Sequence, residues 1–225
     1  MQLKQILNKL ESLRDSKAVA GMARAGINPE SAYGISIPNL RKIAKDVGKN
    51  HDLAMQLWET GIHEARILAT MTDEPKQVTE TQIDDWTRDF NSWDVCDQCC
   101  NNLFRKTIFA HAKTVELSSR EEEFVKRTGF VLMACLSVHD KKADDDTFMN
   151  YLSIIKREAC DERNFVKKAV NWALRQIGKR NITLNKEAIK AAEKISQISS
   201  KTAKWVASDA LRELKSKAVQ QRLKT

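Results

Sequence analysis

Ten residues, NSWDVCDQCC at positions 91–100, hold a tryptophan, two acids and three cysteines. Three chemistries fit those types: a metal held by thiolates, a redox pair of cysteines, or a carboxylate working beside an indole. Helical spacing separates them. With Trp93 at zero and about 100° per residue, Val95, Cys96, Cys99 and Leu103 fall between about 200° and 300°, whereas Asp97 falls at about 40° and Asp94 at about 100°. The cysteines share the apolar stripe and read as small core hydrophobes. A zinc site needs four placed ligands, and the histidines at 51, 63, 111 and 139 show no ligand spacing beside the three sulfurs, so we expect no metal.

Trp93 and Asp97 are an i, i+4 pair and stand one above the other on one helix face. Such a pair can be a core indole beside a solvated acid. It also suits a surface that holds a cationic or electron-poor group. A second stretch, RNFVKKAVNWALRQIGKR (163–180), sharpens the choice. Val166, Ala169, Val170, Ala173 and Ile177 form an apolar stripe centred about 120° from Trp172, and Lys168, Arg175 and Lys179 lie beside that indole, away from the stripe. A ring within a row of cations suits a nucleic-acid backbone, where lysines and arginines neutralise phosphates and the ring packs on sugar or base. In FVKRTGFVLMA (124–134), Arg127 occupies the position equivalent to Lys168. The apolar run after Gly129 demands burial and leaves Lys126 and Arg127 as a cationic end, able to fork onto phosphate or to pair with a neighbouring acid. The acids at 121–123 suit a helix N-terminus and need no other role.

The elements that must carry these residues are helical. Seven glycines and three prolines in 225 residues, with abundant helix formers, predict an all-α chain. Spacing and breakers place helices over about 2–15, 16–25, 38–48, 51–60, 62–72, 79–90, 92–106, 108–117, 120–138, 145–159, 162–179, 185–196 and 201–222. The longest irregular piece, AGINPESAYGISIP, holds two of the three prolines. FVKR at 124 and FVKK at 165 lie 41 residues apart, and HEARILA from 63, SWDVCD from 92 and TAKWVASDALREL from 202 open helices at similar intervals. A period of that size with two helices per unit matches HEAT-like repeats. The expected architecture is one α-solenoid domain over 1–225, of antiparallel helix pairs stacked into a curved superhelix with a concave basic groove.

Charge is uneven. Residues 1–112 carry 14 Lys/Arg against 15 Asp/Glu, and residues 113–225 carry 24 against 15, so the net +8 arises wholly in the second half. That asymmetry points to a polyanion, nucleic acid before membrane, since no long apolar run appears. MQLKQILNKLESLRD reads as an amphipathic helix and not as a secretory signal, which makes a cytoplasmic protein with reduced thiols the expectation.

The chain resembles the DNA alkylation repair proteins of the AlkD-like group, HEAT-repeat DNA glycosylases. The likeness runs through YGISIPNLRKIAK (33–45), LWETGIHEARILA (57–69), SWDVCD (92–97), FVKRTGF (124–130) and NFVKKAVNWALRQIGKRN (164–181), with W-x-x-x-D and W-A-L-R-x-x-G-K as its specific part. The resemblance implies hydrolysis of the N-glycosidic bond of N3- or N7-alkylated purines in double-stranded DNA, without metal or organic cofactor; a monomer is the separate expectation. It implies a catalytic carboxylate at Asp97, sugar-facing indoles at Trp93 and Trp172, and a backbone-contacting guanidinium at Arg127. An alkylated purine already carries positive charge and leaves as a neutral base, so the chemistry requires stabilisation of the deoxyribose cation and placement of water rather than a general acid. Ser92 and Asp94 depart from the pattern, and Asp94 has no role on these grounds. Two other functions fit the same elements: a noncatalytic HEAT protein that binds bent or branched DNA, and a protein-interaction scaffold whose cations would be scattered in space.

Overall fold

A computed structural model describes residues 1–224. Among them every regular element is helical, and the chain gathers into two compact units, Met1–Phe109 and the stretch from Ala110 onward. No helix is long and apolar enough to cross a membrane.

The first unit contains α1 (Leu3–Glu11), α2 (Ser16–Arg24), α3 (Ile37–Val47), α4 (His51–Glu59), α5 (His63–Thr72), α6 (Glu80–Arg88), α7 (Trp93–Asn102) and a 3₁₀ turn at Phe104–Lys106. Side chains close three of the N-termini, with Asp15, Asn50 and Thr79 accepting from the first-turn amides of α2, α4 and α6. The helices α3, α5 and α7 pack in succession, and α4 lies against α5. Two of the five tryptophans are structural: Trp58 and Trp86 stack with centroids 3.9 Å apart, and both are buried.

The irregular piece after α2 is tied down by a buried acid. The fully buried Glu64 carboxylate accepts backbone N–H groups of Tyr33 at 2.8 Å, Gly34 at 2.7 Å and Ile35 at 3.2 Å. Gly34 is obligatory there. Its φ is +81°, and a Cβ would sit 2.4 Å from the Asp15 carbonyl oxygen.

The second unit contains α8 (Ala110–Ser118), α9 (Glu123–His139), α10 (Asp145–Glu158), α11 (Asn164–Gly178), α12 (Ile182–Ser196), α13 (Lys201–Leu214) and α14 (Lys217–Arg222). The pairs α8/α9, α10/α11 and α12/α13 pack together, and the second helices α9, α11 and α13 touch in that order, as a HEAT-like repeat requires. Every residue of α9 from Val125 to Ser137 is buried, which explains its apolar composition. Gly129 lets α8 approach, since a Cβ there would meet the Ser118 backbone nitrogen at 2.4 Å.

Two expected helices are divided. The segment 92–106 stops at Asn102, because Leu103 turns to φ −123°, ψ −69° before the 3₁₀ turn. The segment 201–222 breaks at Ser216, whose hydroxyl accepts the Val219 N–H and restarts the chain as α14. In the other direction, α12 begins at Ile182, three residues before the expected start, with Asn181 as its cap.

Candidate DNA-contacting site

The first unit presents the Trp93–Asp97 pair on α7. Val95, Cys96, Cys99 and Leu103 are buried and fix which side of the helix faces the core. Asp97 and Trp93 are half-buried on the other side. The thiols of the cluster therefore belong to the packing, and burial pushes the Cys99 thiol well above its ordinary value, aided by Cys96 and Asp73. Such a thiol is a poor metal ligand and a poor nucleophile.

Residues around α7 hold Trp93 in place. Its indole N–H donates to the Ala25 carbonyl at 3.1 Å, and the buried Ser92 hydroxyl accepts the Asn28 N–H at 2.8 Å instead of capping its own helix. The loop braced by Glu64 thus also supports the entry of α7. Asp94 now has a place. Its Oδ2 lies 2.8 Å from Nε2 of buried His63, the first residue of α5, so it joins two helix N-termini. Its Oδ1 is buried and has no partner among the described residues.

In the second unit Trp172 is half-buried on α11. With the Gln176 amide oriented to satisfy both neighbours, its oxygen accepts the Trp172 indole N–H at 3.0 Å and Lys179 at 3.2 Å. Of the row beside Trp172, Lys168 is exposed and Arg175 and Lys179 are half-buried. Arg175 and Lys179 both bind Glu213 of α13, and Arg175 also approaches Asp209 at 3.7 Å. Burial pushes the Glu213 carboxyl up, but the hydrogen bonds and charges of Lys179 and Arg175 outweigh it and hold the group below the usual carboxylate range. The row is therefore less cationic than its sequence implies.

Of the two roles open to the cationic end at Lys126 and Arg127, phosphate contact or a structural pair, the structure shows internal partners: both residues are buried, at 6% and 5% exposure. Lys126 pairs with Glu158 at 2.9 Å and Asp161 at 3.7 Å. Burial raises those two acids, yet the bonds from Arg157 and Lys126 to Glu158, and from Arg163 to Asp161, keep both depressed. Arg127 donates to the Phe165 carbonyl at 2.6 Å and so joins α9 to the first turn of α11. Helix α9 is surrounded from Val125 onward, so Lys126 and Arg127 lie inside the protein as well.

Sequence reasoning passed over Glu64, His63, Asp209 and Glu213. For the last two a signal existed, since Asp209 and Glu213 repeat the four-residue step of Arg175 and Lys179.

The fold is an all-helical, HEAT-like one that carries a tryptophan and a carboxylate one turn apart on an outer helix face. The chain belongs to the family described as DNA alkylation repair enzyme, whose model matches residues 6–214. Its fold matches a solved structure described as a new family of proteins related to the HEAT-like repeat DNA glycosylases with affinity for branched DNA structures. That match has TM-score 0.81 and 18% identity, over 99% of this chain and 96% of that one. A designed armadillo repeat protein in complex with a (KR)4 peptide aligns with TM-score 0.38 and 15% identity, over 82% and 88%. No curated protein matches.

Proposed function

We propose that this protein is a DNA glycosylase that hydrolyses the N-glycosidic bond of N3- and N7-alkylated purines in duplex DNA. The observation that carries this reading is the Trp93–Asp97 pair on the outward side of α7, in a chain of the DNA alkylation repair family. Alkylation at N3 or N7 makes the base a cationic leaving group, which departs neutral. Positive charge then develops on the deoxyribose. The Asp97 carboxylate stabilises that charge and orients the attacking water, while Trp93 offers a π face to the sugar. Trp172 is the second aromatic DNA contact, and Lys168 contacts the backbone. Arg127, buried against Phe165, organises the entry of α11.

Purified protein incubated with N7- and N3-methylated duplex should release free methylpurine, and Asp97→Asn should slow release by about 100-fold or more. Equal rates for the two proteins would remove Asp97 from the chemistry.

A second reading has its own support. The structurally similar protein is described as having affinity for branched DNA, so recognition of DNA shape without excision fits this chain too. Tight binding to a four-way junction with no base release, unchanged in Asp97→Asn, would select that reading.

A further inference from the structure

Trp205 is the one indole of the described residues that stands in solvent, with 43% exposure, and no step above uses it. Its surroundings are cationic. The Lys167 amine lies 5.9 Å from the ring centroid, bridging α11 to α13. Lys201 is one helical turn before Trp205 and Lys204 is adjacent, both exposed, and Lys168 follows Lys167 on α11. Among the described residues, the ion pairs within and between α11 and α13 all fall in their second halves, at Arg175, Lys179, Asp209, Arg212 and Glu213. The four lysines at the first halves make none.

The two helices run parallel, because Lys167 meets Trp205, Asn171 meets Val206, and Arg175 meets Asp209 and Glu213. One end of the α11–α13 pair is therefore internally neutralised and the other carries uncompensated positive charge around a bare aromatic ring. A single exposed indole needs no occupant by itself, but one framed by lysines can hold a flat, anionic ligand. A lipid surface would need further exposed apolar residues, but the neighbours of Trp205 along α13 are Lys201, Lys204, Ser208 and Asp209, the last engaged by Arg175 and Arg212. A base has the matching form: a flat ring to stack, with phosphates on either side for the lysines. Bases within a duplex are closed off by stacking, and unpaired ones are not.

We propose that Trp205, with Lys167, Lys168, Lys201 and Lys204, is a stacking step for an unpaired nucleotide of DNA, such as a single-stranded arm or overhang next to a duplex. This rests on the reading above only in taking DNA as the partner. It uses neither Asp97 nor Trp93.

The test is fluorescence anisotropy with two labelled probes, a blunt duplex and the same duplex with an eight-nucleotide 3′ overhang. Wild-type protein should prefer the overhang. Trp205→Ala should weaken overhang binding by roughly 5- to 100-fold while blunt binding changes less than about twofold, and Trp205→Phe should restore most of the loss. Lys204→Gln should lower the salt slope on the overhang by about 0.7. Melting curves matched to wild type confirm that the variants fold. Equal weakening on both probes would mean that Trp205 packs on the duplex edge, and no weakening on either would mean that it is not a DNA surface; both results overturn the proposal. If Trp205→Ala keeps wild-type overhang affinity while methylpurine is still excised, only this inference falls. Overhang preference that survives without any excision would leave it standing and remove the glycosylase reading.

Discussion

Replacing Glu64 by glutamine tests how the irregular loop after α2 supports the candidate site. The carboxylate uses Oε1 for the Gly34 and Ile35 amides and Oε2 for that of Tyr33, inside a site with no solvent exposure. Glutamine retains one acceptor oxygen. Two bonds therefore survive but lose charge assistance, each worth about 1 kcal/mol less, and the third becomes a donor facing a donor, which forfeits about 1.5–3 kcal/mol. The expected loss is about 3.5–5 kcal/mol, a large part of the stability of an ordinary domain. Native-state hydrogen exchange is the direct assay, because the loss falls on identified amides. Protection of Tyr33, Gly34 and Ile35 should drop by about three orders of magnitude or more in Glu64→Gln, and base release should decline, since the same loop supplies the Ala25 carbonyl to Trp93 and the Asn28 N–H to Ser92. Protection within threefold of wild type would refute the reasoning.

Other substitutions probe separate contacts. Asp94→Ala leaves the buried His63 ring without its acceptor and should cost about 1–3 kcal/mol in urea unfolding; a variant as stable as wild type would mean that the pair is idle. Glu213 has a depressed pKa, so its stabilisation is fully present above the ordinary carboxylate value and fades as pH falls through the depressed one. Glu213→Gln should accordingly show less loss of melting temperature than wild type as pH drops below about 4.5, and it should bind DNA more tightly at low salt, because Arg175 and Lys179 lose their acid. Unchanged DNA affinity would show that these two cations face away from the backbone. Gly129→Ala drives a methyl group into the Ser118 backbone and should destabilise by about 3 kcal/mol or more; an unchanged melting temperature would contradict the close approach of α8 and α9.

Much of this was legible in the sequence, for reasons that differ by residue. Helical periodicity alone assigned Cys96 and Cys99 to the core with Val95 and Leu103, because side-chain direction along one helix follows from spacing. The same rule put Trp93 and Asp97 on a common face. It also produced the heavy burial of α9 after Gly129, since a run that is apolar on every side has no solvated face to present.

Tertiary structure decided what each charge does. For Lys126 and Arg127 spacing left phosphate contact and a structural pair both open, and their partners Glu158, Asp161 and Phe165 come from 32 to 38 residues away, on the following repeat. Glu213 lies 38 residues beyond Arg175, and the Asp94–His63 contact spans 31. The bracing of Tyr33, Gly34 and Ile35 by Glu64 is of the same kind, spanning about thirty residues. A helical wheel sees one helix at a time, whereas the repeat packs each face against the next unit. The sequence by itself determined the helices, their inward faces and the Trp93–Asp97 pair. Which cations remain available to a polyanion was settled only when neighbouring repeats brought their acids into reach.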